Sequence, residues 1–298
     1  MRIGLYGTSA AGLEGIVEDI AAAERLGLDS AFLPQLTAWD ALTVAAIAGQ
    51  RVPRIGLGTA VVRTYAQHPL ALAGQALTTQ AATGGRLTLG IGPSHREVVE
   101  GGYGLSYDRP ARHVREYLQA LIPLLRGETT EFRGETLSVS GTVEVPGAEP
   151  PAVLVSALGP VMLGVAGELA DGTVTVWAGP EVLGDHVVPK ITDAASRAGR
   201  PAPRVVASVM LSVTAAPDRV RDDIRARFGG AGEFASYRRL LRQQGKAGVE
   251  DTVTAGGEDL VAATVRRFAE AGVSDLLVSP VGTDEERQRT LAFVARSN

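Results

Sequence analysis

The sequence predicts a single α/β domain over residues 1–298, a closed (β/α)8 or TIM barrel with insertions. Short apolar, β-branched runs alternate with longer stretches of helical period, the pattern of parallel strands joined by crossover helices. The runs number eight, and a length of 298 residues suits one barrel of roughly 250 residues with added loops. A doubly wound open sheet is the other fold that such alternation permits.

The expected strands are 2–7, 30–33, 54–61, 87–91, 152–156, 173–176, 205–213 and 275–278. Between them, Val114, Leu118, Leu121, Ile122 and Leu125 recur at spacings of three and four, as do Val261, Thr264, Val265 and Phe268. Such spacing buries one helical face, so these segments are outer-ring helices. The joints around 23–33 and 269–278 resemble each other, each with a glycine, Gly27 or Gly272, expected to cap its helix in a left-handed conformation. Residues 131–139 read as a short hairpin before the fifth strand. Residues 216–256 hold more helix than one crossover needs, with Phe228-Gly-Gly-Ala-Gly-Glu233 expected as a flexible break.

Composition narrows the chemistry. The chain has no cysteine, which removes disulfides, thiolate catalysis and zinc-thiolate or iron–sulfur sites. A formal charge of −4 offers no basic field for nucleic acid. The start MRIGLYG lacks a basic, then apolar leader, and no window reaches the ~18 apolar residues of a membrane span. A soluble, cytoplasmic protein is expected. Lys190 and Lys246 are the only lysines, and neither belongs to a P-loop or sits at a strand end where a Schiff base would form.

In a barrel the chemistry lies at the carboxyl ends of the strands. There the sequence is rich in glycine and poor in carboxylates. After strand four comes Gly90-Ile-Gly-Pro-Ser-His-Arg96, whose small residues would let the backbone approach a flat or phosphorylated ligand, and whose His95 is the best-placed titratable group. His68, His95, His113 and His186 show no paired ligand spacing, so no metal is expected. His68 before Pro69 reads as a cap and His113 as structural. Asp40 and Asp108 read as capping or loop residues, and no Gly-x-Ser-x-Gly elbow exists. A mouth of glycine, serine, arginine and aromatics, including Trp39, Tyr65, Tyr103 and Trp177, suits a reaction whose reactive group is a cofactor.

The segment Ser156-Ala-Leu-Gly-Pro-Val-Met162 follows the apolar strand run Ala152-Val-Leu-Val155. Gly159 permits the turn, and Pro160 fits the first helical position because its missing N–H would have no helical partner. Val161, Val165 and Leu169 are expected to line one helix face. The free N–H groups of Val161 and Met162 face the positive end of the helix dipole, where an anion can sit without a lysine. An ordinary strand-to-helix turn explains the same residues.

Three stretches carry a family resemblance: Gly56-Leu-Gly-Thr-Ala-Val61, then His68-Pro with 75–92, and 156–172 with the Val-Trp that follows. Over nearly its whole length the chain resembles the bacterial luciferase-like monooxygenase superfamily, within it the oxidoreductases that use coenzyme F420. The resemblance implies a barrel of the luciferase-like type and a non-prolyl cis peptide near Ala60-Val61 behind the cofactor ring. It implies a cofactor wall at Gly92, Ser94 and His95, and a cofactor phosphate site over Ser156, Ala157, Leu158, Gly159, Pro160, Val161 and Met162. His95 is the expected catalytic residue, and Gln35, Trp39, Arg63, Tyr65 and Trp177 are the expected substrate contacts.

Where several relatives carry an Asp-His or Glu-His pair, this chain reads Phe32-Leu-Pro-Gln-Leu36. A base for alcohol oxidation is missing there. The implied activity is hydride transfer between the deazaflavin and a small organic substrate, in the direction that reduces an activated C=C or C=N bond. An FMN-dependent monooxygenase is the alternative, and a catalytically silent flavin-binding barrel is a third reading. The resemblance also implies a homodimer.

Overall fold

The computed structural model describes residues 1–7, 12–35 and 38–296. Its strands are β1 (Arg2–Tyr6), β2 (Ser30–Leu33), β3 (Gly56–Thr59), β4 (Val62–Arg63), β5 (Leu87–Gly92), β6 (Thr130–Arg133), β7 (Ser138–Gly141), β8 (Ala152–Val155), β9 (Gly172–Val176), β10 (Arg204–Val213), β11 (Thr254–Gly256) and β12 (Asp275–Pro280). The helices are α1 (Gly12–Arg25), α2 (Ala41–Arg51), α3 (Pro69–Ala82), α4 (Arg96–Tyr103), α5 (Pro110–Leu125), α6 (Pro160–Leu169), α7 (Pro180–Val182), α8 (Val188–Arg197), α9 (Pro217–Gly232), α10 (Ala235–Gln243), α11 (Glu258–Glu270) and α12 (Asp284–Arg296).

Eight strands pair in parallel in the order β1-β2-β3-β5-β8-β9-β10-β12, and β12 returns to β1 with Arg2 opposite Asp275. The barrel is therefore closed, with no free edge. Each of the eight expected strands is one of these, within two residues at most ends. The third differs, because β3 ends at Thr59, a cis peptide follows between Ala60 and Val61, and the two-residue β4 begins just past the expected span.

Alternation decides which side chains enter the barrel. Phe32, Leu154, Val174, Val206 and Leu277 fill its interior, while their sequence neighbours face the helices. Gly58 makes room for Phe32, since a Cβ there would lie 2.5 Å from the ring. The floor is polar. Arg204 at the start of β10 donates to both carboxylate oxygens of Asp275 and to Thr88, and Arg2 lies 2.7 Å from the same carboxylate. Burial alone would raise the Asp275 pKa, but hydrogen bonds from Arg204 and Ser274 and both arginine charges hold it below the usual range.

Outer helices bury the expected faces, with Val114, Leu118, Leu121 and Leu125 of α5 and Val261, Thr264 and Phe268 of α11 all inside. Gly27 and Gly272 both sit at φ +84°, as their capping role requires. The antiparallel hairpin β6–β7 stands where it was expected. The glycine-rich stretch does not break. Helix α9 runs through Phe228 to Gly232 and the chain turns only at Glu233–Phe234. Gly232 is there for contact, since a Cβ would approach the Val249 side chain at 2.9 Å. Among the described residues no helix is long and apolar enough to cross a membrane.

Candidate active site

The cis peptide makes a backbone bulge at the carboxyl end of β3. Ala60 and Val61 project into the barrel mouth with Tyr6 and Phe32, and the Tyr6 hydroxyl donates to the Ala60 carbonyl at 3.4 Å. The glycines of β5 are shaped by this bulge. A Cβ on Gly90 would lie 2.0 Å from the Thr59 carbonyl oxygen, and Thr59 Oγ1 is bonded to both the N–H and the C=O of Gly90. On Gly92 a Cβ would lie 3.0 Å from Val61 and 3.0 Å from Ser156. The Gly-x-Gly pair thus admits neighbouring backbone and side chain at these two positions.

Beyond β5 the chain turns sharply. Ser94 is left-handed, at φ 64°, and its carbonyl accepts from the Tyr107 hydroxyl at 2.8 Å. His95 then opens α4 without capping it by its side chain. Its Nδ1 meets Ser236 Oγ at 3.0 Å, and its ring packs on Phe234 and Tyr237 at centroid distances of 4.6 and 4.8 Å. Burial, foremost, lowers the His95 pKa; the Arg63 charge adds to this and the Glu97 charge opposes it. One ring nitrogen is held by a serine hydroxyl.

Helix α10 crosses the mouth like a strap. Ser236 near its start is tied to the loop after β5, and Gln244 just past its end accepts from Gly179 N–H at 2.6 Å and donates to the Trp177 carbonyl at 3.0 Å, after β9. Since β8 lies between β5 and β9, α10 passes over the end of β8. Nine helical residues rise about 13 Å, enough to bridge two strand spacings of ~4.8 Å. Under the strap Tyr237 meets Trp177 at 4.4 Å, and Trp177, left-handed at φ 63°, also meets Phe228. Burial pushes the Tyr237 phenol up to about 12. Tyr6 is raised further, by burial first and then by Tyr237. Both phenols stay protonated.

Below the strap, β8 leads into 156–162. Gly159 precedes α6, no side chain caps the helix, and its first internal bond runs from Leu163 N–H to the Gly159 carbonyl. The N–H groups of Val161 and Met162 therefore have no helical acceptor. Around the Gly159 Cα the space is open, with no atom within 4 Å of a Cβ there. His186 braces the segment from the side, its Nε2 3.0 Å from the Leu158 carbonyl. The expected apolar face is corrected here. Val165 is buried and Leu169 packs on the core as expected, but Val161 is 68% exposed, and Leu163, Ala166 and Gly167 complete the buried face.

The remaining expected residues are dispersed around the rim. Arg63 on β4 donates to the Tyr103 hydroxyl at 2.9 Å. Tyr65 stacks on His113 at 3.9 Å and donates to the Asp108 carbonyl. Gln35 lies two residues past β2 with its Oε1 buried and unpartnered among the described residues, and Trp39 is exposed just before α2. His68 caps α3 through Leu70 N–H, and Asp40 caps α2 through Thr43 N–H, as read. Among the described residues no three His, Asp or Glu side chains gather as metal ligands. Sequence reasoning missed Tyr6, Phe234, Ser236 and Tyr237. Tyr6 ends a strand and was findable by the mouth rule; the others lie in the surplus helix of 216–256, whose placement over β8 has no local signal.

The geometry can be compared with known proteins. The luciferase-like monooxygenase family model matches residues 1–288. A putative coenzyme F420-dependent oxidoreductase of Mycobacterium tuberculosis is 30% identical over 201 residues, covering 62% of this chain and 56% of that protein. An F420-dependent glucose-6-phosphate dehydrogenase of Nakamurella multipartita is 30% identical over 246 residues, covering 77% and 70%. The solved structure of an F420-dependent secondary alcohol dehydrogenase in complex with an F420-acetone adduct superimposes with a TM-score of 0.84 over 100% of this chain and 98% of that one, at 16% identity, which speaks to the fold. With a matching family model across almost the entire barrel, the chain belongs to the luciferase-like monooxygenase family.

Proposed function

We propose that this protein is an F420-dependent oxidoreductase that moves a hydride between the deazaflavin and a small organic substrate, reducing an activated C=C or C=N bond. The observation that carries the reading is the position of Gly92. Wedged 3.0 Å from Val61 and 3.0 Å from Ser156 at its missing Cβ, it sets the cis-peptide bulge, the His95 loop and the start of the anion-binding segment side by side. A flat ring against the bulge and a phosphate at the start of α6 fit one elongated cofactor. The F420-dependent relatives support the choice of cofactor.

The residues present suit such a group. The open space at Gly159 and the free N–H groups of Val161 and Met162 would hold its phosphate. Ala60, Val61 and Tyr6 would back its ring. A deazaflavin supplies a hydride and, unlike FMN, does not readily activate oxygen. The protein's own task is then to orient, to exclude water and to place a proton. The strap α10 with Trp177 and Tyr237 closes the mouth against water. His95, its Nδ1 3.0 Å from Ser236 Oγ, would hydrogen-bond the atom that gains a proton on reduction and relay that proton from solvent. Gln35 just past β2 offers no proton transfer of its own, which favours reduction over alcohol oxidation.

Equilibrium binding of oxidised F420 and of FMN, followed by fluorescence, tests the cofactor. Tight FMN binding with no F420 binding overturns the reading. Turnover of the reduced cofactor with imines and enones then tests the reaction.

A further inference from the structure

We propose that the substrate carries a carboxylate or similar planar oxyanion, and that Arg63, buried beside the His95 loop under Tyr103, is the residue that pairs with it. This deepens the reading above and rests on it for the reaction that follows binding.

Arg63 is 9% exposed. A guanidinium keeps its charge at every working pH, and a buried cation without a counter-ion is costly. Of two part-buried arginines at the opposite barrel end, Arg204 meets Asp275 and Arg86 donates to the Ile55 and Gly49 carbonyls. Arg63 makes no ion pair with any carboxylate among the described residues, and the residues outside that set include no Asp or Glu. Its one acceptor among the described residues is the Tyr103 hydroxyl, whose ring lies 6.0 Å from the guanidinium carbon. That bond uses a single N–H of the five on the fork. Among the described residues none of the guanidinium nitrogens is both sealed from solvent and unpartnered, so a donor that does not bond Tyr103 touches solvent. Tyr103 itself is 43% exposed, in the last turn of α4 before left-handed Gly104. It is a surface residue laid over a buried charge.

Position separates this site from that of the cofactor phosphate. Arg63 pairs across β4 to Gly92 on β5, whereas the start of α6 follows β8 on the other side of β5. The two anion sites flank the His95 loop. A substrate held by its carboxylate at Arg63 therefore lies next to the His95 ring. The Arg63 charge also lowers the His95 pKa, and an anion bound to it removes that influence. The mouth beyond is aromatic, with Tyr6, Tyr237 and Trp177, so an aryl or unsaturated acid fits it.

The probe is benzoate, with benzamide as its neutral counterpart, titrated into F420-saturated protein and read by tryptophan fluorescence. Wild type is expected to bind benzoate at least about tenfold more tightly than benzamide. In Arg63→Met that preference disappears while F420 affinity is unchanged, and in Arg63→Lys part of it remains. Without anion, Arg63→Met melts no lower than wild type, because a buried unpaired charge has been removed. If Arg63→Met fails to fold, Arg63→Lys decides, and an undiminished preference there overturns the proposal. Equal binding of the two probes by wild type overturns it, as does a preference that survives in Arg63→Met. Loss of F420 with benzoate binding retained assigns the cation to the cofactor and also overturns it. If wild type takes FMN and not F420, the cofactor reading fails alone; the same comparison on FMN-loaded protein still tests Arg63.

Discussion

Ser236 of α10 and His95 after β5 stand 141 residues apart in the chain, and their side chains meet at 3.0 Å, Oγ to Nδ1. The contact fixes both the imidazole and one end of the strap. Replacing His95 by Gln is expected to lower kcat by about a hundredfold while F420 binding changes little. Ser236→Ala leaves the ring in place but unheld, and an intermediate loss in kcat is expected. Steady-state kinetics beside cofactor titration separates the two. A kcat unchanged in His95→Gln removes His95 from the chemistry.

Gly159→Asp tests the helix start. Its Cβ meets nothing within 4 Å and aspartate is a favourable N-cap, so the melting temperature should hold or rise. The new carboxylate would take the Val161 and Met162 donors and repel phosphate. F420 and FMN should each bind at least about tenfold more weakly, whereas phosphate-free riboflavin should not respond. Unchanged F420 affinity would place the phosphate elsewhere.

At Gly90 the bulge leaves no room. With Thr59 O only 2.0 Å from a Cβ, Gly90→Ala must displace backbone, and a loss of about 2–3 kcal/mol is expected in denaturant unfolding. The control is Gly102→Ala in α4, where nothing lies within 4 Å and alanine favours the helix. That variant should be neutral or stabilised.

His113 gives a pH signature. Burial, opposed by Glu116, lowers its pKa from 6.5 to about 4 in the folded protein. Between those values the unfolded chain binds a proton that the native state refuses. Its contribution is therefore complete above pH 6.5 and declines as pH falls toward 4, by no more than about 3 kcal/mol in all. Thermal melts between pH 6.5 and 5, above the range where most carboxylates titrate, should fall for wild type and flatten for His113→Gln. Parallel slopes for the two proteins would show that His113 is not the sensor.

Periodicity carried most of the fold. The eight strands, the left-handed caps Gly27 and Gly272 and the β6–β7 hairpin follow from local preferences that each segment expresses by itself. The helix start at Gly159 was legible for the same reason, since free N–H groups belong to any helix that begins with Pro160. The cis bond at Ala60-Val61 was legible only through family resemblance, because no composition rule marks it. What tertiary structure alone decided is closeness between distant segments. The roles of Gly90 and Gly92 depend on how near β3 and β8 come. The path of α9 through its glycines depends on Val249, and the strap over β8 depends on anchors at both its ends. Arg63 makes the contrast sharpest. Its charge is written in the sequence, but the absence of a carboxylate beside it among the described residues is a property of what packs around it.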